Sequence, residues 1–291
     1  MAKNILRVGD FNIIKRIGSG ARSAIYLATE DQDKDPEQTT IALKRVIFEQ
    51  PADYRVFEQV ETEFKVAQRI DHPYVRKCIA LKKIRRFFKT RELLLSMEYF
   101  NGLSLEEGPT LSLVDVLLVF RMVASGLSAM HQQGYLHCDI KPNNILLSKA
   151  GAIKIIDLGQ SCRIGATKPR IQGTPDYIAP EQVRRKPLGV KTDMFNLGAT
   201  MYWALTGKNV PTLIPKKNNG LGLVVPKNCP APHEIRTQVP IGASKLIMDC
   251  IKDSPEDRPR NMMTVVSRLD LIIHSILGDK IRANRYAANN H

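Results

Sequence analysis

Short segments rich in β-branched and aromatic residues fill the first third of the chain and predict a strand-rich region. The predicted strands are Phe11–Arg16, Ala24–Ala28, Thr40–Ile47, Cys78–Ile84 and Leu93–Glu98. Between the third and fourth of them, Glu58–Ile70 has a helical pattern. We expect this helix to end at Asp71-His72-Pro73, because the residue before a proline disfavours the helical conformation.

After Gly102 the apolar residues recur three and four positions apart, which predicts helices. The first predicted helix carries Val116, Val119, Val123, Leu127 and Met130, and the others are predicted at Asp193–Leu205, Ser244–Lys252 and Met262–Leu277. A strand-rich region followed by a helix-rich region predicts two packed lobes, with a boundary near Tyr99–Leu103. The proline-rich stretch Lys208–Pro240 predicts an extended surface segment.

Composition mainly excludes classes of protein. The 291 residues are 43% hydrophobic and 25% charged, which excludes a disordered or collagen-like chain. Because Asp115 interrupts the most apolar helix-like stretch, no run of about 18 apolar residues exists, and we expect no membrane span. The first ten residues lack the apolar core of a secretory signal. Five cysteines without a C-x-x-C pair favour a reducing cytoplasm over a disulfide scaffold or a zinc site.

The formal net charge of +14 is the unusual number, and the excess is concentrated in two places. Residues Lys65–Arg91 contain ten basic side chains and a single acid, Asp71, and a second basic excess spans Gln160–Lys191. Acidic residues cluster instead at Glu30–Glu37, and this polar stretch, which contains a proline, predicts a loop. Charge alone leaves nucleic acid, an acidic membrane surface and an acidic protein open as partners.

Two further regions carry candidate chemistry. Ile17–Ile25 places Gly18 and Gly20 in a predicted turn between two strands, where the backbone could approach a phosphate; alone this is a weak signal. The stretch His137–Leu147 is more specific, because it packs an acid, a base and an amide into six residues before a strand. A second acid, Asp157, lies at the end of another apolar strand, in Ile155–Gly159. Asp and Asn oxygens suit Mg²⁺.

In this order and at these spacings, the motifs resemble the catalytic domain of eukaryotic-type (Hanks-type) Ser/Thr protein kinases, from about Phe11 to Leu277. The resemblance implies an α+β, bilobal fold in a single domain over residues 1–291. The small β-rich N-lobe would span about residues 11–100, the larger helical C-lobe 101–278, and a basic C-terminal tail 279–291. The stretch Thr192–Gly207 resembles bacterial members of the family most.

The resemblance also assigns roles to individual residues. The implied catalytic residues are Asp139 as base, Lys141, Lys44, its helix partner Glu63, and Thr174, which would bridge Asp139 and Lys141; the implied metal ligands are Asn144 and Asp157. The implied ATP-binding residues are Ile17, Gly18, Ser19, Gly20, Ile25, Ala42, Lys44, Met97, Glu98, Phe100 and Leu146. The implied scaffold residues are Glu181, Arg258 and Asp193, while Glu61 is expected to face solvent.

The implied reaction is transfer of the ATP γ-phosphoryl group to a Ser or Thr hydroxyl of a protein, with Mg²⁺ or alternatively Mn²⁺. A pseudokinase that binds ATP as a scaffold is the main alternative. A small-molecule kinase is disfavoured by the complete Ala179-Pro180-Glu181 segment. A nucleic-acid-binding protein is disfavoured because only Arg86–Lys89 approaches an aromatic-basic motif.

Several positions depart from the family pattern. Ser23 replaces the third glycine and Leu158 the usual Phe. Cys138 replaces the Arg that binds a phosphorylated activation segment, so we expect a kinase that needs no phosphorylation there. Cys138 and Cys162 could approach each other, as reduced thiols or as a disulfide.

Two features bear on partners. Ser104 and Asn143 stand where kinases directed to basic peptides carry acids, which favours neutral or acidic protein substrates. An acidic protein is the expected partner of the basic stretch Lys65–Arg91, and nucleic acid is not expected.

Overall fold

The computed structural model describes residues 6–20, 22–30, 40–211 and 229–288. The acidic loop predicted at Glu30–Glu37 lies outside the described residues from position 31 onward, as do positions 212–228 of the proline-rich stretch and the last three residues of the basic tail. The chain forms two compact units. The sheet unit contains residues up to Gly102 together with Ile156–Gln160, and the helical unit contains Leu103–Ile155 and the residues from Ser161 onward.

The sheet unit is built on six antiparallel strands in the order β1-β2-β3-β4-β6-β5. They are β1 Leu6–Val8, β2 Phe11–Gly20, β3 Ser23–Glu30, β4 Thr40–Ile47, β5 Cys78–Arg86 and β6 Lys89–Glu98. Because alternate residues face one side of a strand, Leu43 and Leu94 pack with Phe11 in a shared apolar core. All five strands predicted from the sequence are present, and most are longer than the apolar pattern alone indicates.

The sheet unit has one α-helix, α1, at Tyr54–Ala67. It begins one turn before the predicted start because a short 3₁₀ turn, Pro51–Asp53, leads directly into it. The Asp53 carboxylate accepts hydrogen bonds from the backbone amides of Glu49 and Gln50 at 2.9 and 2.8 Å. The helix buries one apolar face, including Phe57 and Val60.

The helical unit holds six helices and five short strands within its described residues. The helices are α2 Leu113–Gln132, α3 Pro180–Val183, α4 Val190–Thr206, α5 Pro232–Ile235, α6 Ile241–Cys250 and α7 Met262–Ala288. The strands are β7 Leu103–Ser104, β8 Tyr135–Leu136, β9 Ile145–Leu147, β10 Ile153–Ile155 and β11 Cys162–Arg163. They form a β10-β9-β7 sheet and a β11-β8 pair. Because α5 lies within Lys208–Pro240, the expectation of an extended segment there is wrong at residues 232–235.

Helix α2 corrects the expectation that no segment could span a membrane. By length and composition alone it could cross one, because a 20-residue helix with few charges tolerates Asp115 and Arg121. Half of its most apolar window is buried inside the protein, and α2 packs against α4 and α7. Its apolar character is therefore that of a core helix, and this finding is weak support for a membrane span.

Helix α4 fixes the loop that follows β8. Asp193, fully buried in its first turn, accepts hydrogen bonds from the backbone amides of His137 and Cys138 at 2.9 and 2.7 Å. His131 Nε2 lies 2.8 Å from the same carboxylate. Burial opposes ionisation, but the hydrogen bonds and the nearby His131 and His137 outweigh it, so the pKa of Asp193 lies below its ordinary value.

Asp193→Asn is expected to lower the free energy of unfolding by about 2–4 kcal/mol at pH 7, because the buried donors lose a charged acceptor. A carboxyl whose native pKa is depressed stabilises the fold above its unfolded pKa of about 3.9, and that stability is lost as the pH falls through the native pKa. The deficit of the variant should therefore shrink below about pH 4, as measured by denaturant unfolding at several pH values. Asp71→Asn, at an exposed carboxylate paired with Lys77, is the control and should leave stability unchanged. A deficit constant across pH would contradict this assignment.

Candidate active site

In the sheet unit, Lys44 of β4 forms an ion pair with Glu63 of α1. Lys44 Nζ lies 2.7 Å from Glu63 Oε2 and 3.7 Å from Asp157 Oδ1. Burial opposes the charge on Lys44, but the two carboxylates outweigh it and raise the pKa of Lys44 above its ordinary value. The pairing expected from the sequence is present, and it holds a permanent positive charge beside Asp157. Glu61, as expected, is exposed, where it pairs with Lys83.

A third residue of this cluster could not be found from the motifs. Arg76 Nη2 lies 3.3 Å from the second oxygen of Glu63, and both side chains are more than nine-tenths buried. Glu63 therefore joins two cations, which offsets the cost of burying its carboxylate. The motifs give no sign of this role for Arg76, because it is one of ten basic residues in the stretch Lys65–Arg91.

Asp157 is held in a left-handed backbone conformation with φ of 62°. The 156–160 segment packs against α1, and this contact requires glycine at position 159. An added Cβ at Gly159 would lie 3.1 Å from Gln59 Cβ and 3.3 Å from Asp157 Oδ1. The close approach places the Asp157 carboxylate, which is 43% exposed, beside Lys44.

The glycine-rich stretch differs from the expected turn. Gly18, Ser19 and Gly20 lie within β2, paired with Ile25, Ala24 and Ser23 of β3. The strands continue to this point because their backbones pair in register, so only residues 21 and 22 connect them, and Ala21 is outside the described residues. An added Cβ at Gly20 would lie 2.6 Å from Ser23 Oγ, so a larger residue there would require the Ser23 side chain to shift.

The predicted apolar wall of the sheet unit follows the strand register. Ala42 pairs with Met97, and Ile25 pairs with Lys44. Ala42 and Met97 are buried, whereas Ile17 is 40% exposed. Two further predicted ATP-binding residues are Glu98 and Phe100. Phe100 is half-buried, and the amide of Glu98 already donates to the carbonyl of Lys77 at 3.1 Å.

In the helical unit, three predicted residues converge on the carboxylate of Asp139. Thr174 Oγ1 donates to Asp139 Oδ1 at 2.9 Å, and Lys141 Nζ donates to Thr174 Oγ1 at 2.8 Å. Lys141 Nζ also lies 3.1 Å from Asp139 Oδ2. The expected bridge by Thr174 is therefore present. Asp139 is 7% exposed, so the network fixes its carboxylate in a mostly water-excluded position.

Asn144 completes this network through its side-chain nitrogen, and its side-chain oxygen remains available as a ligand. Its Nδ2 donates to the Asp139 carbonyl at 2.8 Å and to Asp139 Oδ2 at 3.3 Å. The amide is thereby oriented with Oδ1 available as a hard oxygen ligand, which fits a Mg²⁺ ion. Asp157 offers carboxylate oxygens of the same chemistry in the sheet unit. Leu146, the remaining predicted ATP-binding residue, lies half-buried on β9 opposite Ser104 of β7.

Cys138 has the left-handed φ of 65° and is held there by hydrogen bonds on both sides. Its amide donates to Asp193, and its carbonyl accepts from Gln182 Nε2 at 2.8 Å. Gln182 also donates to the Gln172 carbonyl at 3.1 Å, which ties the loop to the segment before Thr174. Gln182 carried no motif signal, because its partner Cys138 is 44 residues away in sequence.

The sulfurs of Cys138 and Cys162 approach to 3.5 Å, and both are free thiols. The hydrogen bond between them and burial raise the pKa of Cys138, whereas the same hydrogen bond lowers the pKa of Cys162. The proximity expected from the sequence is therefore present, in the reduced form.

One scaffold contact and two acidic side chains complete the site. Arg258 binds Glu181 through two hydrogen bonds of 2.8 and 3.0 Å, and both side chains are buried. Glu106, which sequence reasoning did not weigh, accepts a hydrogen bond from Asn143. Since Ser104 likewise bonds Glu107 at 3.0 Å, acids do lie beside the two positions used to argue against basic substrates.

Comparison with known proteins identifies the family of the chain. Residues 11–268 match the protein kinase domain family. The chain is 32% identical over 216 residues to serine/threonine-protein kinase CST20 of Candida albicans, covering 71% of this chain and 17% of that protein. It is 30% identical over 209 residues to PrkC of Bacillus subtilis, covering 69% and 31%, and 27% identical over 285 residues to serine/threonine-protein kinase A of Synechocystis, covering 90% and 53%.

The chain thus spans about half or less of the length of these three relatives. The α+β, bilobal kinase fold expected from the sequence is confirmed. Since the match takes in both the strand-rich and the helix-rich unit, the chain belongs to the protein kinase family.

Proposed function

We propose that this protein transfers the γ-phosphoryl group of ATP to Ser or Thr hydroxyls of protein substrates. The observation that carries the proposal is the Asp139 carboxylate, fixed by Thr174, Lys141 and Asn144 at 2.9 to 3.3 Å. The bridge between Lys141 and Thr174 supports Ser/Thr specificity, because it resembles the arrangement of Ser/Thr kinases.

Asp139 is the proposed base that accepts the proton of the attacking hydroxyl. A carboxylate has about four acceptor positions, and three are taken by Thr174, Lys141 and Asn144. The remaining position receives the substrate hydroxyl and orients it for in-line attack. Lys141, beside Asp139, stabilises negative charge on the group being transferred.

Lys44 is the proposed phosphate ligand. Its pKa is raised, so it stays charged, and Glu63 fixes its position. Asn144 and Asp157 would hold Mg²⁺, or alternatively Mn²⁺, which neutralises phosphate charge when bound. The backbone of Gly18–Gly20 and the apolar residues Ile25, Ala42, Met97 and Leu146 supply the remaining ATP contacts.

A pseudokinase is the second candidate, since a kinase fold by itself does not imply catalysis. The intact networks around Asp139 and Lys44 favour the enzyme, because a scaffold that only binds ATP does not need a positioned base.

The five free thiols suit a reducing compartment, and we propose that the protein acts in the cytoplasm.

Substrate charge is a finer part of the proposal. The absence of acids at Ser104 and Asn143 favours neutral or acidic substrates, but Glu106 and Glu107 contact those same two side chains. The activation segment, from Asp157 to Glu181, contains several basic residues, such as Lys168 and Arg170. Positive charge there favours neutral or acidic protein substrates, and we retain that proposal.

Asp139→Asn is expected to lower kcat for phosphorylation of a generic protein substrate by about 10²–10⁴-fold, because the amide cannot accept the hydroxyl proton. The KM for ATP should change little, since Lys44 and Glu63 are untouched. Transfer of labelled phosphate from Mg-ATP, followed by phosphoamino-acid analysis, measures both rate and acceptor. Asp115→Asn, at an exposed carboxylate of α2, is the control and should keep full activity. A wild-type rate no higher than that of Asp139→Asn would favour the pseudokinase.

Phosphatase treatment is expected to leave kcat/KM within about twofold of the untreated enzyme. The reason is that Cys138 stands where the family carries the Arg that would bind a phosphate, and its sulfur contacts Cys162 instead. Complete removal of phosphate is checked by mass spectrometry. Ser161→Ala/Thr167→Ala, which removes two hydroxyls of the segment, should behave like the treated enzyme. A collapse of activity in both preparations would show that loop phosphorylation is needed after all.

A further inference from the structure

The basic stretch Lys65–Arg91 is less uniform in three dimensions than in sequence. Four of its ten cations form ion pairs: Arg76 with Glu63, Lys77 with Asp71, Lys82 with Asp10, and Lys83 with Glu61. Within the part of the chain that the structure describes, Arg85, Arg86 and Lys89 form none. Lys65, Arg69 and Arg91 form none among these residues either, but Arg85, Arg86 and Lys89 lie together at the end of the β5–β6 hairpin, in a stretch with no acid between Asp71 and Glu92.

The hairpin turn itself is unusual. β5 ends at Arg86 and β6 begins at Lys89, so Phe87 and Phe88 form a two-residue turn. Their φ angles are 48° and 64°, both in the left-handed region that such a turn requires. Asn-Gly is the favoured pair at these positions, and bulky side chains there strain the backbone. Phe87 and Phe88 therefore make the turn less stable than Asn-Gly would.

Both phenylalanine side chains are exposed to solvent, Phe87 by 84% and Phe88 by 101%. They are the two most exposed large apolar residues of the described chain. The Arg86 guanidinium lies 5.8 Å from the centre of the Phe87 ring. We call Arg85, Arg86, Phe87, Phe88 and Lys89 the basic-aromatic tip.

The strand register adds a third unfavourable feature. Arg86 lies directly opposite Lys89 in the antiparallel ladder. Like charges at directly opposed positions destabilise a hairpin. A surface that offers anionic groups next to an apolar interior would neutralise the opposed cations and cover the exposed rings, and its binding energy would offset the strain of the turn.

We propose that the basic-aromatic tip docks on an anionic lipid bilayer. Phe87 and Phe88 enter the interface between headgroups and acyl chains, while Arg85, Arg86 and Lys89 contact lipid phosphates. A bilayer is favoured over an acidic protein because a projecting turn with two nearly fully exposed rings needs no pre-shaped pocket in a fluid interface. Duplex nucleic acid could receive the rings only by unstacking its bases, which costs a few kcal/mol per step. This inference is independent of the proposed kinase activity.

The size of the effect follows from the tip composition. Each basic residue near an anionic surface strengthens binding about fivefold, so three contribute about 100-fold. Burial of the two rings adds at least about tenfold more. The electrostatic part must weaken as salt rises, because exposed charges are screened.

The test is co-sedimentation of the full chain with vesicles of phosphatidylcholine containing about one-third phosphatidylserine, and with vesicles of phosphatidylcholine alone. The wild type should bind the anionic vesicles and barely bind the neutral ones. Phe87→Asn/Phe88→Gly should lose at least about tenfold in affinity. Because Asn-Gly suits the turn, the thermal midpoint of this variant should equal or exceed that of the wild type, which separates lost binding from lost folding.

Two charge variants provide a matched comparison. Arg85→Gln/Arg86→Gln/Lys89→Gln should lose about 100-fold in affinity for the anionic vesicles. Lys77→Gln/Lys82→Gln/Lys83→Gln removes the same number of charges from the same region, but these cations already have acidic partners, so its loss should be much smaller.

Three results would overturn the proposal. One is equal binding to anionic and neutral vesicles, and another is anionic-vesicle binding that survives the Phe87→Asn/Phe88→Gly change. The third is an absence of vesicle binding together with tip-dependent binding of polyglutamate or of single-stranded oligothymidine, which would assign the tip to an acidic protein or to nucleic acid.

Discussion

A single buried carboxylate organises the helical unit. Asp193 is fully buried, and an isolated ionised carboxylate would be costly there. It is stabilised by the backbone amides of His137 and Cys138 and by His131, which together hold the loop after β8 in a strained conformation. That conformation, with Cys138 at a positive φ, is what turns the next residue, Asp139, towards Thr174 and Lys141. The position of the proposed base therefore depends on a residue that touches no substrate.

The residues alone predict the parts of the site whose geometry is local, whereas the bridge from Thr174 to Asp139, 35 positions apart, was predicted only through the family resemblance. Asp139, Lys141 and Asn144 lie within six positions, so a short loop brings them together however the rest folds. The contacts that escaped prediction join distant positions, as Gln182 and Cys138 do across 44 residues and Asn143 and Glu106 across 37. Spacing along the chain carries no signal for such pairs. The fold itself was predictable to the level of strands and helices, because the periods of two and of three to four residues report which faces are buried.

Two expectations show what a local pattern leaves out. The glycine stretch was expected to be a turn, but pairing with β3 extends β2 to Gly20, since strand pairing overrides the local preference of glycine. Helix α2 was judged too polar to span a membrane because of Asp115, yet two charges in a 20-residue helix do not offset its apolar residues. What identifies α2 as a core helix is its burial among α4 and α7, which no count of its own residues contains.

Charge shows the same limit in the opposite direction. A run of ten cations suggests one broad positive surface, but tertiary contacts bring acids to four of them, and Asp10 reaches Lys82 from 72 positions away. Three of the six cations without an ion pair in the described residues lie beside the two most exposed phenylalanines and a strained turn. Each feature alone is common on a protein surface. Their coincidence at one hairpin end is informative because contact with one anionic and apolar surface would neutralise the cations, cover the rings and offset the strain of the turn.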